Sequence, residues 1–210
     1  MREIIQLVDL ARKEPVEAEL FDEVTLQHFL ETQNEWRPVV LDAAKLMVQM
    51  GAPPESIPRH FHWDWSRKES DLRVLAFSFV GITVKGKLQG LMKLENAGRS
   101  GRIASQKGKP LTYVDYLETA PWNIKLLMHA QGKSPEFGAI GTRLVEAAVR
   151  KSLDEGFKGR VALHSLSGSE RFYVDVCGMT PVGRDPAKQN LLWCEFTPEQ
   201  AKKFLSEDAE

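Results

Sequence analysis

Pro135-Glu136-Phe137-Gly138-Ala139-Ile140-Gly141-Thr142-Arg143-Leu144 is a glycine-containing turn that runs directly into an amphipathic helix. The first four N–H groups of a helix have no intrahelical partner and lie at the positive end of its macrodipole, so such a turn can hold an anion. Gly138 and Gly141 lack a Cβ, which lets backbone approach a phosphate and permits a positive φ. What flanks the turn decides which anion that is.

Downstream, Thr142–Glu155 has helical spacing, with Leu144, Val145, Ala148, Val149 and Leu153 on one side and Gly156 at the position just past the end. Lys158–His164 then reads as a strand, Ser167–Val176 as a short helix, and Met179–Val182 and Asn190–Phe196 as two further strands. Thr197-Pro198-Glu199-Gln200 is a capping box with proline at the first helical position, so the tail is a short helix with Ala201 and Phe204 facing inward.

Upstream, Leu111–Thr119 reads as a strand stopped by Ala120-Pro121. Trp122–Glu136 is irregular, with a helical turn or two at Ile124–Ala130. Leu72–Val84 and Lys87–Glu95 read as a β-hairpin joined by Lys85-Gly86. Between hairpin and strand, Asn96–Pro110 is basic and rich in Gly and Ser, but has no aromatic residue for base stacking, so it reads as a solvated flexible connection.

Earlier still, apolar spacing predicts helices over Asp22–Gln33 and Glu35–Met50, ended by Gly51-Ala52-Pro53-Pro54. Pro58–Trp65 is dense in aromatics. His60 and His62 are half of a metal set whose other half has no ligand-like spacing, and the stretch reads as a packed loop or as the wall of a pocket. Ile4–Val8 fits a short strand, whereas the acidic run Glu14–Glu23 favours helix or loop. Residues 1–65 are therefore expected to form a mainly helical N-terminal part of one domain over residues 1–210.

The totals restrict the class of function. With 28 Lys+Arg against 29 Asp+Glu the net charge is -1, so there is no overall electrostatic case for nucleic acid or an anionic membrane. No apolar run approaches the roughly 18 residues of a membrane span, and the N-terminus carries acidic residues without a small-residue cleavage site, so a cytoplasmic location is expected. Cys177 and Cys194 lack CxxC spacing and are expected to be buried and reduced.

This order of elements predicts an α+β fold, a three-layer arrangement in which helices flank a central mixed, mostly antiparallel sheet. Two phosphate-binding alternatives fail on the residues. A P-loop needs lysine after its last glycine, but Thr142-Arg143 follows Gly141. A dinucleotide fingerprint needs its strand directly before the glycines and an acid after the next strand. Here Pro121–Gly138 intervenes, and His-Ser-Leu-Ser-Gly-Ser occupies residues 164–169.

Three stretches together resemble the Gcn5-related N-acetyltransferase (GNAT) family: Leu117-x-Thr119-x-Pro121, Glu136-x-x-Ala139-x-Gly141-x-x-Leu144, and Arg171-Phe172-Tyr173 followed by Gly178-Met179. The resemblance covers about residues 72–196. It implies an acetyl-CoA-dependent N-acetyltransferase working by direct transfer, with acetyl-CoA as cosubstrate and no metal. In these terms the backbone of Leu117 and Thr119 would meet the pantetheine arm, and Phe137, Gly138, Ala139, Gly141 and Thr142 would form the pyrophosphate turn. Tyr173 would lie near the thioester sulfur. Glu136 stands where the family often has Gln or Arg, and Ala139 replaces the first glycine. Tyr173 precedes Gly178 by five residues rather than four, which implies a helix end distorted or lengthened by one.

The chemistry calls for the same parts. A thiolate leaving group needs a proton, which a phenol such as Tyr173 can supply, and an incoming ammonium must lose one to a carboxylate. Glu118 and Asp115 are the candidates, on opposite faces of an ideal strand, and Glu118 is preferred. The acceptor is expected to be a small-molecule or peptide amine, and a homodimer is compatible with the sequence. The alternative is a CoA-binding or regulatory module of the same fold, weak or inactive in catalysis.

Overall fold

The computed structural model describes residues 2–53, 57 and 59–207. Pro54 and Pro58, on which two expected loop boundaries fall, lie outside them.

Nine strands form one sheet: β1 (Arg2–Asp9), β2 (Glu14–Phe21), β3 (Phe77–Val84), β4 (Lys87–Glu95), β5 (Thr112–Thr119), β6 (Phe137–Gly138), β7 (Val161–Ser165), β8 (Thr180–Asp185) and β9 (Leu191–Glu195). Their order is β6-β1-β2-β3-β4-β5-β7-β9-β8. β5 and β7 pair in parallel, while β1 with β2 and β6, β2 with β3, and β9 with β7 and β8 pair antiparallel. The helices are α1 (Leu26–Glu31), α2 (Arg37–Gln49), α3 (Lys125–Ala130), α4 (Ile140–Asp154) and α5 (Pro198–Glu207). The expected mixed, mostly antiparallel sheet with flanking helices is thus the observed one. No helix of the described residues is long and apolar enough to cross a membrane.

The chain divides into two compact units. The first holds the residues up to Val74, Phe79–Leu91 and Leu117–Gly141; the second holds Leu75–Ser78, Met92–Tyr116 and the residues from Thr142 onward.

In the first unit, the acidic run read as helix or loop is strand β2. Its periodicity is two rather than 3.6: Ala18 and Leu20 are buried while Glu17 is exposed, and Ala18 pairs with Ile5 of β1. The glutamates are the wet face of a hairpin. The two predicted helices are continuous, because the π-helical turn Thr32–Trp36 joins α1 to α2, and the first starts at Leu26 rather than Asp22. Phe29, Trp36, Val40, Ala43 and Met47 are the buried stripe, whereas Leu46 and Met50 are exposed. Gly51, with φ of 78°, closes α2 in a Schellman arrangement: its N–H reaches the Val48 carbonyl and that of Ala52 the Met47 carbonyl. Residues 72–73, read as the start of the hairpin, end a 3-10 segment over Trp65–Arg73. The turn Lys85-Gly86, with φ of 49° and 79°, has the positive pair that a two-residue hairpin requires.

In the second unit, α4 buries Leu144, Val145, Ala148 and Val149, but Leu153 is 49% exposed, contrary to the periodic reading. It lies in the last turn, beyond the buried stripe. Gly156, Glu155 and Phe157 close this helix as Gly51 and its neighbours close α2. Thr197 and Gln200 exchange hydrogen bonds of 3.0 and 3.3 Å as the capping box requires, and Ala201 and Phe204 are buried. Cys177 and Cys194 are buried and form no disulfide.

The segment Asn96–Pro110 departs most from its reading. Glu195, fully buried, accepts from the main-chain N–H of Arg102 at 2.7 Å, from that of Ile103 at 3.4 Å and from the Gln106 amide. The Arg102 guanidinium lies 3.9 Å over the Trp193 ring and contacts Asp185 at 2.8 Å. What reads as a solvated loop is fastened to a carboxylate some ninety positions away.

Candidate active site

Within the first unit lie Leu117, Glu118 and Thr119 at the end of β5, and Phe137, Gly138, Ala139 and Gly141 in the turn. Thr142, Tyr173 and Asp115 belong to the second.

The alternation of β5 separates the two candidate bases. Asp115 is held at 2.8 Å by the Lys93 ammonium, whose side chain is 6% exposed. Glu118, on the opposite face, is buried and accepts a hydrogen bond of 2.7 Å from the Trp65 indole N–H. Desolvation raises the Glu118 pKa to about 7, against the opposing pull of the Trp65 hydrogen bond and the Lys68 ammonium. A carboxyl so placed is divided between acid and base near neutrality, the condition a proton acceptor needs.

Glu118 lines a small, partly open depression with room for about one water molecule, together with Thr32, Gln33, Trp36, Arg37, Trp63 and Trp65. Trp63 and Trp65 both line that depression, and Trp65 is also packed in the core. Trp36, Gln33 and Arg37 were not singled out in the sequence. Their only sequence signal was helical spacing, and the π-helical turn that brings them to the depression has none. His60 is half-buried next to Trp63, 5.7 Å between ring centroids, and desolvation lowers its pKa to about 4. Its neutral ring has no hydrogen bond at Nε2. Among the described residues, no group of three His, Cys, Asp or Glu side chains is placed to hold a metal ion.

The turn is pinned from three sides inside the first unit. Phe137 and Gly138 form β6 against Asp9 and Val8, the Glu136 carbonyl accepts from Leu10 N–H at 2.9 Å, and Asn123 Oδ1 accepts from Phe137 N–H at 2.9 Å. Here the structure corrects the role of the glycines. The positive φ, 69°, belongs to Ala139, and Gly141 is inside α4. At Gly138 a Cβ would come 3.2 Å from the end of the Leu10 side chain, a tight approach that a small movement of that side chain relieves. A non-glycine residue in the left-handed region costs of order 1 kcal/mol and persists where its surroundings impose it. Glu136 is exposed. By helix geometry Ala139, Ile140, Gly141 and Thr142 carry the N–H groups that have no acceptor within α4.

In the second unit, Tyr173 lies in the π-helical turn Phe172–Val176, whose Cys177 N–H reaches back to the Phe172 carbonyl. The wider turn accommodates the extra residue before Gly178. Tyr173 is 8% exposed, and burial first, then Cys177 and Cys194, push its pKa well above the usual phenol range. It stays protonated.

A second polar network in this unit joins Tyr113, His164, Asp185 and Arg102. The Tyr113 hydroxyl meets His164 Nδ1 at 2.8 Å and His164 Nε2 meets Asp185 Oδ2 at 3.0 Å. The Arg102 and His164 hydrogen bonds hold the Asp185 pKa at about 2, and burial lowers that of His164. A neutral ring protonated at Nε2 satisfies both neighbours.

No protein-family model matches the chain, and no curated protein matches it in sequence. Solved structures do match in fold. PaiA N-acetyltransferase from Thermoplasma acidophilum, in complex with coenzyme A, superimposes with a TM-score of 0.51 at 14% identity, over 85% of this chain and 97% of that one. Aminoglycoside acetyltransferase AAC(6')-Ib, in complex with coenzyme A and kanamycin, gives 0.53 at 12% identity over 89% and 98%. A putative acetyltransferase of the GNAT family from Desulfovibrio desulfuricans gives 0.51 at 13% over 86% and 99%. The chain has the GNAT acetyltransferase fold.

Proposed function

We propose that the protein is an acetyl-CoA-dependent N-acetyltransferase that transfers an acetyl group directly to an amine. The observation that carries this reading is Glu118: a buried carboxyl on β5, lining a small depression, with its pKa raised to about 7. The fold and the coenzyme A bound to the neighbours support it.

Glu118 takes the proton of the incoming ammonium, directly or through water. The backbone of Leu117 and Thr119 orients the thioester arm and stabilises charge on its carbonyl oxygen. β5 is suited to this because it continues five residues past Val114, which pairs with Leu163 of β7. The turn Phe137, Gly138, Ala139, Gly141 and Thr142 presents main-chain N–H groups to the pyrophosphate. Tyr173, protonated at all working pH values, gives its proton to the departing thiolate. The acceptor is a small-molecule or peptide amine, and the location cytoplasmic.

One observation favours a second reading, CoA binding without turnover: Tyr173 is 8% exposed. A single assay separates the two. On titration with acetyl-CoA the melting temperature rises in both cases, but thiol release across a broad amine panel is expected only of the enzyme. Tyr173→Phe should then lower turnover more than cofactor affinity. Absence of any CoA binding at millimolar concentration would overturn both readings.

A further inference from the structure

Gln89 on β4 is 1% exposed, an amide deep in the first unit that the proposed chemistry does not use. Its side-chain oxygen takes two hydrogen bonds from the 3-10 turn Pro121–Asn123 that follows β5: the Trp122 indole N–H at 2.8 Å and the Asn123 amide at 2.9 Å. Its nitrogen donates to the Lys87 carbonyl at 3.2 Å, and its main-chain carbonyl accepts from Ala120 N–H at 2.8 Å. One residue of β4 thus grips Ala120, Trp122 and Asn123, just past Thr119.

The same 3-10 turn grips the glycine-containing turn. Asn123 Oδ1 accepts from Phe137 N–H at 2.9 Å, and the Trp122 carbonyl accepts from Glu136 N–H at 3.0 Å. The orientation of both amides is forced. The N–H groups of Trp122 and Phe137 only donate, so an oxygen must face each, which leaves the Asn123 NH₂ group to Gln89. An aspartate at 123 would not serve, because this side chain accepts on one side and donates on the other. Two positions past Phe137 stands Ala139, whose φ of 69° persists where its surroundings impose it. A chain of two amides therefore runs from β4, past the end of β5, to the turn, entirely within the first unit.

We propose that Gln89 and Asn123 are positioning residues of the cofactor site. They set the spacing between the end of β5, which the pantetheine arm would meet, and the Phe137–Gly141 turn, which the pyrophosphate would meet. Neither touches the reacting atoms. Two separate stretches of main chain are fixed before the cofactor arrives, so that binding does not have to order them. This rests on the reading of those stretches as the cofactor site. Its consequence is selective: loosening the relay weakens a ligand that reaches both stretches and spares one that reaches β5 alone.

The test compares coenzyme A with pantetheine, which has the arm without the pyrophosphate, by calorimetry on wild type and Asn123→Ala. The substitution should weaken coenzyme A at least about tenfold and pantetheine by less than about threefold. With no ligand present, the Phe137 amide should exchange with solvent at least about tenfold faster in the variant. Gln89→Met, which leaves the Phe137 hydrogen bond but frees Asn123 from β4, should show the same selectivity to a lesser degree. Gln89→Glu, whose side chain still accepts from Trp122 and Asn123, should keep coenzyme A affinity within about threefold of wild type. Should Asn123→Ala fail to fold, the two Gln89 variants carry the same comparison. Equal losses for both ligands, no loss for either, no binding of pantetheine to the wild type, or unchanged Phe137 exchange would each overturn the proposal. Failure of the wild type to bind coenzyme A overturns the transferase as well, whereas coenzyme A binding without this selectivity removes only the present inference.

Discussion

Two buried glutamates, one in each compact unit, each accept a hydrogen bond of 2.7 Å from a tryptophan indole, and there the likeness ends. Glu195 in the second unit also takes the main-chain N–H groups of Arg102 and Ile103 and the Gln106 amide. Glu118 in the first has the Trp65 N–H and the nearby Lys68 ammonium, and it lines the small depression between Trp36, Trp63 and Trp65. A carboxyl group whose oxygens already accept from several donors is a structural fastening. A carboxyl with one donor retains capacity for a proton from outside. Burial alone does not mark a reactive acid; burial without saturation does.

The comparison is broken or sharpened by substitutions at the two sites. The largest effect is expected from Glu118→Gln, which keeps an acceptor for Trp65 but cannot take a proton: turnover should fall by about 10²–10⁴-fold, measured as thiol release at saturating substrates. If turnover is unchanged, Glu118 is not the base. Glu195→Ala strands several buried donors and should cost about 3–5 kcal/mol in denaturant unfolding. A loss under about 1 kcal/mol would remove the distinction between fastening and reactive acid.

Next comes pH. Glu118 has its folded pKa raised from 4.5 to about 7, so the protein binds a proton there that the unfolded chain has released. Its contribution to stability is complete below about pH 4.5 and is lost as pH rises through about 7. Glu118→Gln should therefore gain stability relative to wild type between pH 5 and pH 8, by on the order of 2 kcal/mol, read from paired urea melts. Over the same range wild-type kcat/KM should rise, because the base form appears as the proton leaves. The smallest effect belongs to Trp65→Phe. Its N–H favours the charged carboxylate, so removing it should shift the midpoint of the pH–rate profile upward by about half to one unit. A downward shift would show that the hydrogen bond stabilises the neutral acid instead.

How far each residue's role could be read depended on where its partner lies in the chain. The turn at Phe137–Gly141 and the helix after it were legible because N–H exposure, capping and helical periodicity are local properties. So was the π-helical end around Tyr173, as a count of five residues before Gly178. Glu118 was legible as a strand carboxylate on the face opposite Asp115. Trp36 was not, because its place at the depression comes from one π-helical turn that no periodicity announces. The acidic strand β2 was misread because Glu17 and Glu19 resemble a solvated helix until Ala18 and Leu20 are seen to alternate with them against β1.

By itself the sequence determined the ends of the second helix and of the tail helix, the hairpin turn at Lys85-Gly86, the turn that leads into α4 and the succession of elements that make a mixed sheet. All of these follow from backbone sterics and from hydrogen bonds between residues a few positions apart. Only the tertiary structure decided that Ala139 rather than a glycine carries the left-handed φ, and that residues 100–106 are fastened to Glu195. It alone distinguished two glutamates of similar burial, one saturated and one open. These depend on partners tens of residues away, and on the desolvation that only a packed interior imposes on a charge.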